Sequence, residues 1–95
     1  MATGKAIVTL SISAQNTFST AVEMRGYFNF SISGTWAGTV FIQRSFDKGS
    51  TWLDVESYIT NTEQKGIEPE GGVQYRFGIK TGGYTSGTLV GRLSQ

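Results

Sequence analysis

The feature that most constrains this chain is a period of two. Across residues 73–80, Val73, Tyr75, Phe77 and Ile79 alternate with Gln74, Arg76, Gly78 and Lys80, the pattern of a strand with one face buried and the other wetted. The period recurs at residues 27–32, where Phe28, Phe30 and Ile32 oppose Tyr27, Asn29 and Ser31. It recurs again over residues 40–46, with Val40, Ile42 and Phe46 on one face and Phe41, Gln43 and Ser45 on the other. On that reading Phe41 needs cover from a loop, an edge or a neighbouring subunit. Shorter alternating runs lie at residues 7–12, which include Ile7, Leu10 and Ile12, at 52–59, where Leu53 and Val55 face away from Asp54 and Glu56, and at 89–93. Residues 17–23 alternate through Phe18, Thr20 and Val22 and read as one more short strand. The longest polar stretch, 62–70, contains the only proline and reads as a loop or a weak edge strand around residues 64–67.

Punctuation fits the same picture. Ala14-Gln15-Asn16, Ser33-Gly34, Asp47-Lys48-Gly49-Ser50, Gly71-Gly72 and the glycine-rich segment 82–87 are turn signals between periodic runs. Thirteen glycines, with abundant Thr, Ser, Val and Ile, favour strands and tight turns over helices. The sequence therefore predicts an all-β domain: an antiparallel β-sandwich or jelly-roll-like barrel of about 6–8 short strands.

Size and composition narrow the chemistry. At 95 residues the chain fits one domain, residues 1–95, with residues 1–12 as an N-terminal strand or an arm at an interface. It has no histidine and no cysteine, which removes disulfides, thiolate and imidazole metal ligands, cysteine nucleophiles and serine triads with an imidazole base. No enzyme activity, cofactor or metal is expected. Eight Lys plus Arg against seven Asp plus Glu leave a formal charge of +1, so electrostatics predicts neither a nucleic-acid nor a membrane partner. The N-terminal residues pass directly into an alternating run, so no export signal is expected and synthesis is assigned to a cytoplasm.

The most specific local motif is Ser45-Phe46-Asp47-Lys48-Gly49-Ser50-Thr51-Trp52. It resembles the Asp-box, a β-hairpin motif of the form Ser-x-Asp-x-Gly-x-Thr-Trp found in sialidases and many unrelated β proteins. Asp47 can accept backbone N–H bonds within the turn, Gly49 can take a positive φ, and Trp52 can pack beneath the hairpin, with Ser45 and Thr51 completing the motif. In families that carry it the box is structural and sits away from the active site, and the reading here is the same.

A wider resemblance covers about two-thirds of the chain, residues 33–94. The run Ser33-Gly34-Thr35-Trp36-Ala37-Gly38-Thr39-Val40-Phe41-Ile42-Gln43-Arg44-Ser45, the Asp-box, Trp52-Leu53-Asp54-Val55, Gly72-Val73-Gln74-Tyr75-Arg76-Phe77 and Gly87-Thr88-Leu89-Val90-Gly91-Arg92-Leu93-Ser94 are similar to small β-sandwich virion proteins of tailed bacteriophages. The resemblance implies a structural protein of the capsid-decoration or cement kind. It would sit on the capsid surface of the virion, act as a homo-oligomer, with a trimer favoured by analogy, and bind the major capsid protein. The first 30 residues are not covered; in decoration proteins such segments often touch the shell, which would place residues 2–12 at an interface.

Two sets of surface residues follow as candidates. Ile7, Leu10, Tyr27, Phe41, Tyr58 and Val90 are candidates for contact with a second copy or a capsid, unless loops cover them. The alternative function is a carbohydrate- or host-surface-binding module, in which Trp36, Tyr58 and Tyr84 would stack on sugars while Asn61, Glu63 and Gln64 bond hydroxyls; single aromatics near turns also serve as plugs of a small core. Asp54 and Glu56 share a strand face without a calcium-loop spacing. Arg25, Arg44, Arg76 and Arg92 are spread over four strands and could gather on the outer face of one sheet.

Overall fold

A computed structural model describes residues 7–95. Its strands are β1 (Ile7–Ile12), β2 (Thr17–Phe18), β3 (Val22–Gly38), β4 (Val40–Ser45), β5 (Leu53–Tyr58), β6 (Thr62–Ile79) and β7 (Tyr84–Ser94). All pair antiparallel in one seven-stranded sheet of order β1-β7-β3-β6-β4-β5, with β2 attached to β6 off that path. The fold is all-β and sandwich-like, as the alternation predicts.

Two long strands make one sheet into two layers. β3, 17 residues long, pairs with β6 from Val22 to Ile32 and with β7 from Asn29 to Gly38. β6, 18 residues long, pairs with β3 over its first half and again at Val73–Tyr75, and its second half also pairs with β4 and β2. The first layer is thus β1, β7, β3 from Gly26 onward and the first half of β6; the second is β2, the start of β3, the second half of β6, β4 and β5. Between the halves the β3–β6 register slips: Met24 faces Val73 but Gly26 faces Glu68. Residues 69–72 bulge opposite Arg25 alone, and Gly26 and Gly72 bracket the bulge at φ 83° and 85°, a region that L side chains rarely adopt.

The layers meet through aromatic rings. Phe30 lies 5.3 Å from Phe77 and 5.6 Å from Tyr58, and Phe28 lies 5.0 Å from Tyr75, all tilted, an arrangement that suits the ring quadrupoles. The first layer supplies inward rows read from its register, Val8–Leu93–Phe30 and Leu10–Gly91–Ile32. The second supplies Val40, Ile42, Val73, Phe77 and Ile79. Gly91 leaves room for Phe77: a Cβ there would fall inside the ring's van der Waals envelope.

Several local expectations change. Ser33-Gly34 is no turn but the middle of β3, where Gly34 backs directly onto the Thr88–Leu89 backbone of β7. Gly71-Gly72 is the bulge within β6 and not a connection between strands. The polar stretch 62–70, expected as a loop or a weak edge strand around residues 64–67, is an edge strand: it lies in the first half of β6, paired among the described residues to β3 on one side only, and β6 is longer than the short strands expected. Residues 7–12 form β1, an edge strand hydrogen-bonded along β7, so this part is sheet and no free arm. Within it Val8, Leu10 and Ile12 face the core, whereas Ile7 faces solvent. The expected interface at residues 2–6 lies outside the described residues.

Candidate functional site

The Asp-box segment closes the β4–β5 hairpin by side-chain bonds to the backbone. The Ser45 hydroxyl donates to Asp47 Oδ1 at 2.7 Å and accepts from the Gly49 N–H at 2.8 Å, while the Thr51 N–H donates to the same Asp47 oxygen at 2.8 Å. Lys48 and Gly49 take φ of 57° and 91°, the tight path that the Asp47 cradle stabilises. The Ser45 hydroxyl, then the Thr51 N–H, hold the Asp47 carboxyl below the usual carboxylate range. Trp52 packs against Gly49: a Cβ on that glycine would contact the indole at 3.5 Å.

The hairpin is joined to a polar chain across the outer face of the second layer. The Arg76 guanidinium lies 4.3 Å from the Trp52 ring centroid and 4.1 Å from that of Phe18. Its Nε donates to Gln43 Oε1 at 2.8 Å, Gln43 Nε2 donates to Asp54 Oδ1 at 2.9 Å, and Lys80 Nζ donates to Asp54 Oδ2 at 2.6 Å. Lys80 also lies 4.1 Å over the Phe41 ring, so Phe41 is half-buried under its own chain. The Lys80 ammonium, then the Gln43 amide, lower the Asp54 pKa, and burial lowers that of Arg76. The arginines do not gather: Arg76 sits on this face, Arg92 on the outer face of the first layer, and Arg44 points between the layers.

Arg44 leads to a centre that composition and pattern did not single out. By alternation it follows Val40 and Ile42 on the inward face of β4, and an inward charge requires a partner. That partner is Glu68, whose side chain is 1% exposed. Arg44 Nη1 and the Tyr75 hydroxyl donate to Glu68 Oε1 at 2.9 and 2.8 Å, and the Glu70 N–H donates to Oε2 at 3.0 Å. Burial alone would raise the Glu68 pKa, but the Tyr75 hydroxyl, the Glu70 N–H and Arg44 together outweigh it and lower it. Burial, then the Glu68 carboxylate, pushes Tyr75 up to about 12. Among the described residues every buried side-chain N or O atom has a hydrogen-bond partner.

The proposed glycan contacts are used within the chain. Trp36 Nε1 donates to Asn61 Oδ1 at 2.8 Å and Asn61 Nδ2 donates to the Gly34 carbonyl at 3.0 Å. Tyr84 Oη donates to the Gly87 carbonyl at 2.8 Å, Tyr58 packs on Phe30, and Glu63 accepts from Ser31 at 2.6 Å. Among the described residues no group of three Asp or Glu is close enough to hold an ion.

One edge of the molecule is left open. Among the described residues β5 pairs only with β4, and five of its six residues are exposed, including Leu53 and Val55 at 46% and 45%. Opposite runs the first half of β6, with no strand among the described residues on its outer side. A cleft of about 190 Å³ separates them, floored by Phe28, Phe30 and Ile42 and walled by Val55, Glu56 and residues 64–66. A second depression continues it past Leu53, Ile67 and Arg44. Tyr27, 80% exposed, and Ile67, 55% exposed, stand opposite each other on the far side of the β6 backbone. Of the interface candidates, Ile7, Tyr27 and Val90 are exposed, Leu10 and Tyr58 pack against the core, and Phe41 lies under Lys80.

These features define a small antiparallel β domain in which many ionisable groups serve its own hairpin, outer face and core, and in which Leu53, Val55, Ile67 and Tyr27 are exposed along one edge. No family model, curated protein or solved structure matches the chain.

Proposed function

We propose that this protein is a non-catalytic assembly component of a tailed-bacteriophage particle, a homo-oligomeric decoration or cement protein that sits on the capsid surface and bridges neighbouring capsomers of the major capsid protein. The observation that carries the reading is the bare edge formed by β5 and the first half of β6, with Leu53, Val55, Ile67 and Tyr27 all uncovered. Large apolar side chains grouped at an edge mark a surface that gains stability when a partner covers it, at about 25 cal/mol per Å² before association costs. The virion setting comes from the resemblance of residues 33–94. The mechanism is mechanical: contacts added between capsomers must break before the shell opens under pressure from packaged DNA.

The test is to mix the protein with capsids that lack it. Co-sedimentation and a higher disruption temperature are expected. If neither appears, and tryptophan fluorescence shifts on titration with glycans, the chain is a carbohydrate-binding module instead.

A further inference from the structure

We propose that the open edge is a self-association surface whose occupant is the same edge of a second copy, related by a two-fold axis, with Tyr27 of each chain entering the cleft of the other. The inference deepens the assembly reading and rests on it only for the expectation that copies meet; it names the surface and the symmetry.

Three observations lead there. The first is shape. Tyr27 projects on one side of β6 at Lys65, Gly66 and Ile67, and the cleft opens on the other side at the same Lys65 and Gly66. A protrusion and a cavity separated by one strand belong to a single patch. A patch that carries both members of a complementary pair satisfies itself under a two-fold axis, whereas a ring would need them on different faces. The two-fold replaces the three-fold suggested by analogy. The cavity of about 190 Å³ is of the size of one aromatic side chain, and its floor offers the ring of Phe28.

The second is charge. A dimer pairing β5 antiparallel with its own copy about Val55 would set Asp54 of each chain against Glu56 of the other, and like charges facing across strands are unfavourable. Crossing the strands, so that β5 of one chain runs beside β6 of the other, brings Glu56 toward the other chain's Lys65, since both residues line the cleft. Two such contacts form at once. The acidic strand thereby rejects the simple edge pairing that open sheets are prone to, and admits the crossed one.

The third is area. With the exposures of Tyr27, Ile67, Leu53 and Val55, these four side chains present on the order of 400 Å² per chain, taking ordinary aromatic and aliphatic side-chain areas. Both copies together would bury about 800 Å² of apolar surface, half of the roughly 1,600 Å² of a standard stable interface. The strand edges and rim of polar side chains would supply the remainder.

Sedimentation velocity and light scattering on the full chain across the micromolar range test the proposal. The wild type is expected to dimerise. Tyr27→Ser should weaken the dimer by at least about tenfold, as truncation of a central aromatic anchor does, and Val55→Lys should abolish it by placing a charge in the cleft wall. Thr88→Ser, on β7, should leave it unchanged, and circular dichroism should report one fold for all four proteins. A wild type that is monomeric or trimeric, or a dimer that survives both cleft variants, overturns the proposal. Capsid co-sedimentation of the same samples separates the two readings. A monomer that binds shells refutes only the dimer, and a Tyr27-dependent dimer that ignores shells refutes only the virion role.

Discussion

Two walls of the molecule are built in opposite ways. On the outer face of the second layer, each charge meets an internal partner: Arg76 with Gln43 between aromatic rings, Asp54 with Lys80, Asp47 with its own turn. Along the edge of β5 and β6, Leu53, Val55, Ile67 and Tyr27 stay exposed among the described residues. The first region has used its bonding capacity on folding, while the second has capacity left over. Glu68 marks the boundary, since its carboxylate, below the floor of the open edge, is tied to Arg44 and Tyr75. That tie joins the first half of β6 to Arg44 of β4.

Variants on either side should break this contrast in a graded way. The largest loss should follow Phe77→Ala in the shared core, about 3–5 kcal/mol of stability by denaturant unfolding. Glu68→Gln should cost about 2 kcal/mol at neutral pH, below the usual cost of splitting a buried pair because the Arg44 side chain is 36% exposed and retains hydration. The Glu68 pKa is lowered in the fold, so its contribution is full above the unfolded carboxylate pKa of about 4.3 and is lost as pH falls through the lower folded value. Glu68→Gln should therefore flatten the acid limb of a stability profile. Tyr75 works at the other end: with its pKa at about 12, its contribution is full below the unfolded value of about 10 and is lost as pH rises through the folded one. Tyr75→Phe should flatten the alkaline limb. Asp47→Ala, on an exposed turn, should lower Tm less than Glu68→Gln and leave the oligomeric state unchanged. The smallest stability change, within about 0.5 kcal/mol in the monomer, is expected for Tyr27→Ser, the variant with the largest expected effect on association.

The contrast also explains what could be read from the sequence. Strands with one fully buried face announced themselves: Val73, Tyr75, Phe77 and Ile79 alternate because each inward position meets the opposite layer. The hairpin was legible for a different reason, since Ser45, Asp47 and Gly49 act within a few residues of one another. The first half of β6 was legible only in part, as a weak edge strand around residues 64–67 set against a loop. Its Gly66 is an inward position left bare because the Phe28 ring lies over it, and its outward positions, Glu63 and Lys65, are polar, so no apolar period exists to detect. The Arg44–Glu68–Tyr75 centre joins residues from β4 and both halves of β6 across a bulge, a juxtaposition that only the folded register creates. The one available signal was Arg44 itself, a charge in step with Val40 and Ile42.

Hydrogen exchange measured as a function of protein concentration tests the central claim most directly, because it reads the closed and open regions in one experiment. Amides of residues 53–58 and 62–67 should gain protection as concentration rises, while those of residues 74–78, already paired to β4, should stay constant. Equal protection of the open edge at all concentrations, in the wild type and in Tyr27→Ser alike, would contradict the account.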